Sequence, residues 1–576
     1  MESSTIIIDL RPNQLLMNPN FDGYKLSLEP IAILKTELPA APHRLFPSDD
    51  QYSFLHAKLF SLQNHLFRDP WLPYSSYFVD ENFNIQNVRY STESGKLNNI
   101  KVVHKISKPN TKAGDYNASL NFVSEKLCIF ADGCGNLSVF DTGDRYRIDE
   151  WKTLFTGTIF DGSESFVIQD ARWEIINNVQ QIQCLLLSVQ RKNDIDDVKF
   201  EAIIDWAVIK KNTESNDWES FVVRQLRGNA IPEYCSLEPK CNGILLSADR
   251  EFKFTFDAEN PIVATKNGDA GAAEVDETKP KFAWNQTEED VTIQFGTSRE
   301  ASKHDFKVIS DGKKLNVRHK IESLLEVELF GPIDNDLTTW SLENDTLTVI
   351  LNKTEPTITW ASLSKSENIL PTDLLAQPIR EMPMPSAINL RSEMEECDFG
   401  DEYMENEYTF VRLDAKTHNA THKANFGSNN AILFSISLRP NSPPAFALRN
   451  DVDACIWLPN IQANQNGEIM LQMKHEGTLN AFGYVQASKQ QKKFLRCSPD
   501  MNYSIISEAH RHVFVYKANY DTASGLKNRN SSQKLSIGQQ KLITMDETDE
   551  ILGIVCENET TILLAKKQIL CLQINS

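Results

Sequence analysis

Short runs of alternating apolar and polar residues recur along nearly all of this 576-residue chain, and segments with a helical period are few. That property restricts the fold more than any other. Alternation puts successive side chains on opposite faces, the period of a half-buried strand rather than of a helix. The stretch "ASLNFVSEKLCIFADGCGNLSVFDTGD" (118–144) reads as two strands, a glycine-rich turn, a further strand and a closing turn. "SPPAFALRNDVDACIWLPN" (442–460), "SIISEAHRHVFVYKAN" (504–519) and "TTILLAKKQILCLQINS" (560–576) each give a strand, a polar turn and a second strand. Short connections of this kind imply antiparallel meanders, so an all-β fold is expected.

The length is too great for one ordinary core and points to roughly three to four domains, or fewer if one β unit is large. Hydrophobic residues make up 41% and charged residues 24%, a globular balance. No apolar run approaches the roughly 18 to 20 residues of a membrane span, so no membrane insertion is expected. The start, "MESSTIIIDLRPNQLL", has neither a basic leading region nor an apolar run long enough for a signal peptide. A cytoplasmic, or also nuclear, location follows as an expectation. The ten cysteines show no C-x-x-C spacing, and the nearest pairs, Cys128 with Cys134 and Cys235 with Cys241, are separated by five residues. Reduced, buried thiols fit that spacing. A net charge of -20 disfavours nucleic acid as the main partner, because phosphate backbones are bound by clustered cations.

Two irregular stretches interrupt the strand text. "VATKNGDAGAAEVDETKP" (263–280) is small and acidic. The second carries Pro371, Pro378, Pro383 and Pro385 and ends in "EMEECDFGDEYMENE" (393–407), with eight carboxylates and no base. Both read as linkers, the second as partly disordered. The resulting divisions are an N-terminal segment (1–23), a first β-rich part (24–262), an acidic linker (263–280), a small β-domain (281–362), a Pro-rich and acidic linker (363–407) and a second β-rich part (408–576). The two flanks share the same meander text, and a domain inserted into a loop of one larger fold accounts for both. Their combined length suits a β-propeller of about seven or eight blades. Two separate β-domains are the alternative. One ring would bring "YKLSLEP" (24–30) close to "ILCLQIN" (569–575).

The small domain has its own signals. In "FAWNQTEEDVTIQF" (282–295), Val291, Ile293 and Phe295 alternate with Thr292 and Gln294. Asp311-Gly312 is a two-residue hairpin signal. Leu325, Val327 and Leu329, then Leu347, Val349 and Leu351, continue the alternation, and six or seven short strands suggest a β-sandwich.

Chemical motifs are sparse. "DGCGN" (132–136) has two of the glycines of a phosphate loop but Ser138 at the sixth position and a strand after it, so a hairpin turn is expected. His418 and His422 stand four apart in poor helix text with no third ligand nearby, and His510 and His512 would share one strand face, so no metal site is expected. No nucleophile elbow, P-loop or zinc-protease motif is present, which predicts neither an enzyme nor a cofactor. Lys489, Lys492, Lys493 and Arg496 surround Phe494 in "ASKQQKKFLRC" (487–497). They read either as a solvated hairpin tip or as a basic docking patch for an acidic partner.

The sequence "WNQTEEDVTIQF", followed by "GKKLNV" and "ELFGPIDNDLTTWSLENDTLTVILNKTEPTITW", resembles the CS domain of NudC-type proteins, a p23-like β-sandwich. The family's opening pattern is matched by Trp284, Gln286, Thr287, Asp290 and Val291, and its later one by Trp340, Leu347 and Lys353. The closing pair of tryptophans is reduced here to Thr359-Trp360. "FDGYKLSLEP" (21–30), "RDPW" (68–71), "LRNDVDACIWLP" (448–459) and "AFGYVQASKQQKKF" (481–494) extend the likeness into both flanks. The resemblance implies a co-chaperone or adaptor that works with an Hsp90-type chaperone and binds β-propeller-containing clients. Gln286, Thr287, Asp290, Lys353 and Trp360 are the implied protein-binding residues, with Gln286, Thr287 and Lys353 expected at the surface. The alternative function is a propeller scaffold that recruits a peptide or acidic partner without chaperone activity.

Overall fold

In a computed structural model the chain divides into two compact units, Met1–Ala264 with Gly400–Ser576, and Thr265–Phe399. Placement is described for residues 5–147, 150–160, 164–176, 179–192, 199–212, 217–262, 282–287, 289–296, 306–319, 322–343, 346–355, 360, 362–364, 407–428, 431–463, 469–518, 536–545 and 549–574. The linkers expected at 263–280 and, except for residues 363, 364 and 407, at 363–407 lie outside these residues.

Among the described residues the larger unit is a β-propeller of seven sheets. Blade 1 runs from Phe67–Arg68 through Ser75–Val79 to Asn84–Ser91, which pairs with both Lys96–Leu97 and Lys101–Lys105. Blade 2 is Ser119–Phe122, Leu127–Ala131, Asn136–Asp141 and Lys152–Thr158. Blade 3 contains Val167–Ile176, Val179–Arg191, Phe200–Lys211 and Trp218–Gly228, with Phe252–Asp257 added at its edge. Blades 5 and 6 begin at Phe434–Ile436 and Lys492–Cys497. Blade 7 comprises Ile551–Cys556, Thr560–Ala565 and Gln568–Gln573, completed by Ala32–Glu37.

Blade 4 decides how the two flanks are related. Its strands are Tyr234–Leu237, Gly243–Ala248, Glu407–Asp414 and Ala420–Ser428. Gly243–Ala248 pairs antiparallel with the strand that follows the insertion, from Gly243 opposite Asp414 to Ala248 opposite Thr409. One sheet therefore holds chain from both sides of residues 265–399, which removes the alternative of two separate β-domains. Arg412 locks this seam through a buried bidentate pair with Glu238, Nε to Oε2 at 2.7 Å and Nη2 to Oε1 at 2.9 Å. Such a pair is costly to break, because either partner alone would be a buried charge.

Ring closure follows the expected logic with a different strand. The strand that overlaps 24–30, Phe21–Leu26, pairs parallel with Ser536–Thr544 of blade 6. Ala32–Glu37 pairs antiparallel with Gln568–Gln573 instead. The N-terminal segment is a belt over successive blades. Ile6–Ile7 adds to the edge of blade 4, Asn13 N donates to His475 Nδ1 of blade 5 at 3.0 Å, and Tyr24 Oη donates to Asn480 O at 2.6 Å. Apolar side chains then fill each gap between neighbouring blades. Phe78, Val88 and Tyr90 of blade 1, for instance, pack with Leu552, Ile562 and Ile569 of blade 7.

The smaller unit is a sandwich of a four-stranded sheet (Phe282–Gln286, Asp290–Gly296, Thr346–Lys353, Ile333–Glu343) and a three-stranded one (Phe306–Ser310, Lys314–His319, Glu322–Glu328). Val291, Ile293, Phe295, Leu347, Val349 and Leu351 all have at most 1% exposure, so the alternation does mark the core face. Gln294, on the opposite face, is also buried, at 2%. A hairpin forms at the Asp311-Gly312 signal but one residue later than read: Asp311 N donates to Lys314 O, and Gly312, at φ +86°, opens the loop with Lys313. Asp311 Oδ1 accepts from Lys314 N at 2.9 Å.

Candidate functional site

The residues implied as protein-binding gather at one end of the sandwich, but most turn inward. Gln286 is the last residue of its strand, and its amide clasps the chain returning at Trp360. Nε2 donates to Trp360 O at 2.7 Å, and Oε1 accepts from Trp360 N at 2.8 Å. Lys353 ends Thr346–Lys353, on the far side of Asp290–Gly296 from the strand of Gln286; its Nζ donates to Gln286 Oε1 and to Thr287 O, both at 2.8 Å. Lys353 is only 6% exposed. Burial pulls its pKa below the usual lysine value, and nearby Asp290 partly opposes that shift. The expectation of an exposed Lys353 is thus corrected. An ammonium at the sheet end finds more acceptors in the closing turn than in a half-covered solvent position.

Trp360 is 2% exposed and lies over Phe330, with ring centroids 6.3 Å apart. The close approach requires Gly331, where an added Cβ would stand 2.7 Å from Trp360 Nε1. Trp284 is equally buried, and Trp340 packs half-buried against the same core. Thr287 is the exposed member of the set and Asp290 is half-buried. Thr287 Oγ1 donates to Asp290 Oδ1 at 2.9 Å and accepts from Asp290 N at 3.1 Å. The outward part of the motif is therefore this short polar turn.

The basic stretch is not a hairpin tip. Lys492–Cys497 is the first strand of blade 6, with Phe494 buried. Lys493 Nζ donates to Glu550 Oε1 at 3.2 Å and to Ile551 O at 2.8 Å. Lys492 Nζ donates to Gln486 Oε1 at 2.7 Å, and Lys489 Nζ rests 4.4 Å from the centre of the Phe514 ring. Arg496 is half-buried, and burial lowers its pKa. These cations are tied to neighbours within the ring.

The remaining sequence candidates are structural as well. Asp132 Oδ1 accepts from Cys134 N at 2.8 Å and Asn136 N at 3.0 Å, shaping a hairpin turn. His418 sits in a turn with Nε2 2.8 Å from Asp257 Oδ2, whereas His422 lies buried in a strand. His510 falls in the turn before the strand that holds His512. Among the described residues no cluster of three or more His, Cys, Asp or Glu is arranged to hold a metal. No helix among them is long and apolar enough to cross a membrane.

Two features escaped the sequence reading. Asp80 and Asn84 repeat the Asp132 and Asn136 turn 52 residues earlier, with Asp80 Oδ1 accepting from Asn82 N and Asn84 N at 2.9 Å each. That spacing was a readable blade repeat. The "RDPW" stretch also brings Arg68 and Trp71 to the mouth of the ring's axis.

An all-β ring interrupted in one blade by a CS sandwich defines the class: a NudC-type protein built on a propeller. The CS domain family matches residues 280–353. NudC domain-containing protein 1 of Xenopus tropicalis is 30% identical over 98% of this chain and 98% of its own length. The mouse protein of the same name is 29% identical with the same coverage. The chain belongs to the NudC domain-containing protein 1 family. Among solved structures, a nuclear movement protein from E. cuniculi GB-M1 aligns with 15% of this chain and 98% of its own at 27% identity and a TM-score of 0.14. The C-terminal WD40 domain of Sif2 aligns with 89% of this chain and 96% of its own at 10% identity and a TM-score of 0.31.

Proposed function

We propose that the protein is a non-enzymatic NudC-type co-chaperone or adaptor, working with an Hsp90-type chaperone and with β-propeller-containing clients in the cytoplasm and nucleus. The observation that carries this reading is the CS domain at residues 280–353 within a chain that aligns end to end with NudC domain-containing protein 1. In this reading the Thr287–Asp290 turn makes the sandwich's polar contact, because Gln286, Lys353 and Trp360 are engaged with one another. A small exposed turn suits a partner contact of modest area.

A second reading, a propeller scaffold acting without the chaperone, is favoured by that same inward turn of Gln286, Lys353 and Trp360. Affinity purification with the intact protein and with a form lacking residues 281–362 separates the two. The first reading expects chaperone and clients to be lost together on deletion. Retention of every partner by the deleted form would leave the scaffold reading standing alone.

A further inference from the structure

Each blade of the ring ends in an outermost strand, and among the described residues six of the seven outer edges are guarded. The outer strands of blades 1, 3, 5, 6 and 7 each carry at least two charged side chains, as Lys35 and Glu37 do in Ala32–Glu37 of blade 7. That of blade 4 is only the two residues Ile6–Ile7. Charge and brevity keep an unpaired edge from recruiting another chain. Blade 2 has neither. After Lys152, its outer strand Lys152–Thr158 runs Thr-Leu-Phe-Thr-Gly-Thr without charge or proline, and five of its seven residues are exposed. Leu154, at 37% exposure, is a large apolar side chain on that edge.

The ring itself shows what such an edge accepts. Blades 3, 4 and 6 each hold a fifth strand from elsewhere in the chain: Phe252–Asp257 pairs antiparallel with its blade, and Ile6–Ile7 and Phe21–Leu26 pair parallel with theirs.

The two sides of the blade 2 edge differ. On the side of blade 1, Thr153 Oγ1 lies 3.3 Å from His104 Nε2, and Trp151 N donates to Val103 O at 2.9 Å, so the foot of the edge is joined to Lys101–Lys105. That strand belongs to residues 94–114, which hold five lysines and no carboxylate in a chain of net charge -20. All five lysines are exposed, and Lys101 and Lys105 lie two residues to either side of Val103. Glu150, before Trp151, and Asp141, opposite Lys152, are carboxylates at the foot of the edge. On the side of blade 3, Phe155 joins Trp218 and Val222 at the half-buried margin of the apolar gap between the two blades.

We propose that Lys152–Thr158 binds an extended segment of a partner protein as a fifth strand of blade 2, a segment in which acidic residues alternate with apolar ones. Successive side chains of a strand point to opposite faces, so the acidic set meets the lysines beside blade 1 and the apolar set meets Phe155 and blade 3. Main-chain hydrogen bonds supply the affinity of such an addition and the two sides its selection. A second copy of this chain is the wrong occupant, because pairing two of these edges would bring two lysine stripes together, and like charges on adjoining strands are destabilising. The site lies wholly in the ring and holds under either reading of the function.

The test is fluorescence anisotropy of the full-length protein with a capped nonapeptide in which Asp or Glu alternates with Val or Ile. It should bind at least about tenfold more tightly than three controls, the scale of one or two hydrogen bonds. These are the same residues in blocked order, the same sequence N-methylated at alternate peptide nitrogens, and a version with Lys in place of every acid. Leu154→Glu should weaken binding at least about tenfold, and Lys105→Glu about threefold. Both side chains are exposed, so the thermal midpoint should stay unchanged in either variant. Equal affinity for the blocked or the N-methylated peptide would overturn strand addition, as would undiminished binding by Leu154→Glu. Equal affinity for the lysine version would overturn the acidic assignment. Self-association of the protein that Leu154→Glu abolishes would overturn it in favour of a second copy, and tighter binding of a single-stranded oligonucleotide than of the acidic peptide would reassign the lysines to phosphate.

Discussion

The sandwich and the ring are made of the same kind of strand text but close in opposite ways. Every described strand of the sandwich lies between residues 282 and 353, so even its longest-range pairing, Asp290–Gly296 with Thr346–Lys353, stays within that span. The ring needs Ala32–Glu37 against Gln568–Gln573 and Gly243–Ala248 against Glu407–Asp414. Local pairing is cheap in loop entropy, whereas the ring must complete distant contacts before its last interface is covered. The ring is therefore the part most exposed to damage at its seams, and the sandwich the part most exposed to damage at its clasp.

The strongest way to break this comparison is to remove residues 1–37. Blade 7 would lose its outer strand and blades 4 and 6 their added edges. The expected loss is the ring's whole stability margin, about 5–15 kcal/mol for a folded domain. Limited proteolysis should digest the ring while leaving a resistant sandwich fragment. A protease-resistant ring in the truncated protein would show that belt closure is dispensable.

Acid should also strike the ring first. His43 and His65 lie on the segment that crosses from blade 7 to blade 1, and each is 8% exposed. Burial pushes the pKa of His43 down to about 4, helped by Lys108. Burial, with Lys493 and Arg44, pushes that of His65 down to about 3. With the folded-state values below the ordinary 6.5, the unfolded chain binds more protons between those limits. Stability is then complete above pH 6.5 and falls as pH drops toward 4 and 3. Two such groups at pH 5 cost roughly 4 kcal/mol. Amide exchange in Leu66 and Leu552 should accelerate between pH 7 and pH 5, after correction for intrinsic rates, more than in Val291 and Val349. Equal protection changes in both units would contradict this.

In the sandwich the corresponding weak point is Lys353. A carboxylate in its place would face two acceptors, Gln286 Oε1, which keeps only its bond from Trp360 N, and Thr287 O, which would lose the Lys353 ammonium. Lys353→Glu should destabilise the sandwich by about 3 kcal/mol, the scale of a buried unpaired charge. The thermal transition of the ring should stay within about 0.5 kcal/mol of its original stability. A thermal midpoint unchanged throughout would return Lys353 to the surface role that the sequence suggested.

This contrast also explains what could be read from the sequence. The sandwich was legible because its alternation, hairpin signal and tryptophans all act within one short span: Val291 and Trp284 stand where the pattern puts them, and the hairpin at Gly312 is one residue off. The propeller was legible as a class but not in its closure. "YKLSLEP" and "AILKTE" alternate equally well, and nothing in either run states whether its partner is blade 6 or blade 7. The clasp was misread for a related reason. A lysine at a strand end is usually solvated, and only the sheet's assembly brings it the acceptor pair, Gln286 Oε1 and Thr287 O, from more than sixty residues upstream.

The smallest effects compare two glycines with the same local duty. Gly133 in the ring and Gly312 in the sandwich both occupy tight hairpin turns, at φ +78° and +86°. Alanine at either pays for the left-handed backbone, about 1 kcal/mol. At Gly312 the nearest atoms to an added Cβ are 3.7 Å away, on Asn335 and Ile333, so the backbone term should be the whole effect. At Gly133 the same Cβ would fall 2.0 Å from Tyr116 O, a backbone atom with little room to yield. Tyr116 N also donates to Gly133 O at 2.9 Å, so the two loop segments cannot separate without losing that bond. Gly133→Ala should therefore cost about 2–3 kcal/mol and Gly312→Ala about 1 kcal/mol, measured as shifts of the ring and sandwich transitions in urea. Equal costs would mean that the close approach at Tyr116 relaxes freely, and that the ring's hairpins are no more tightly packed than the sandwich's.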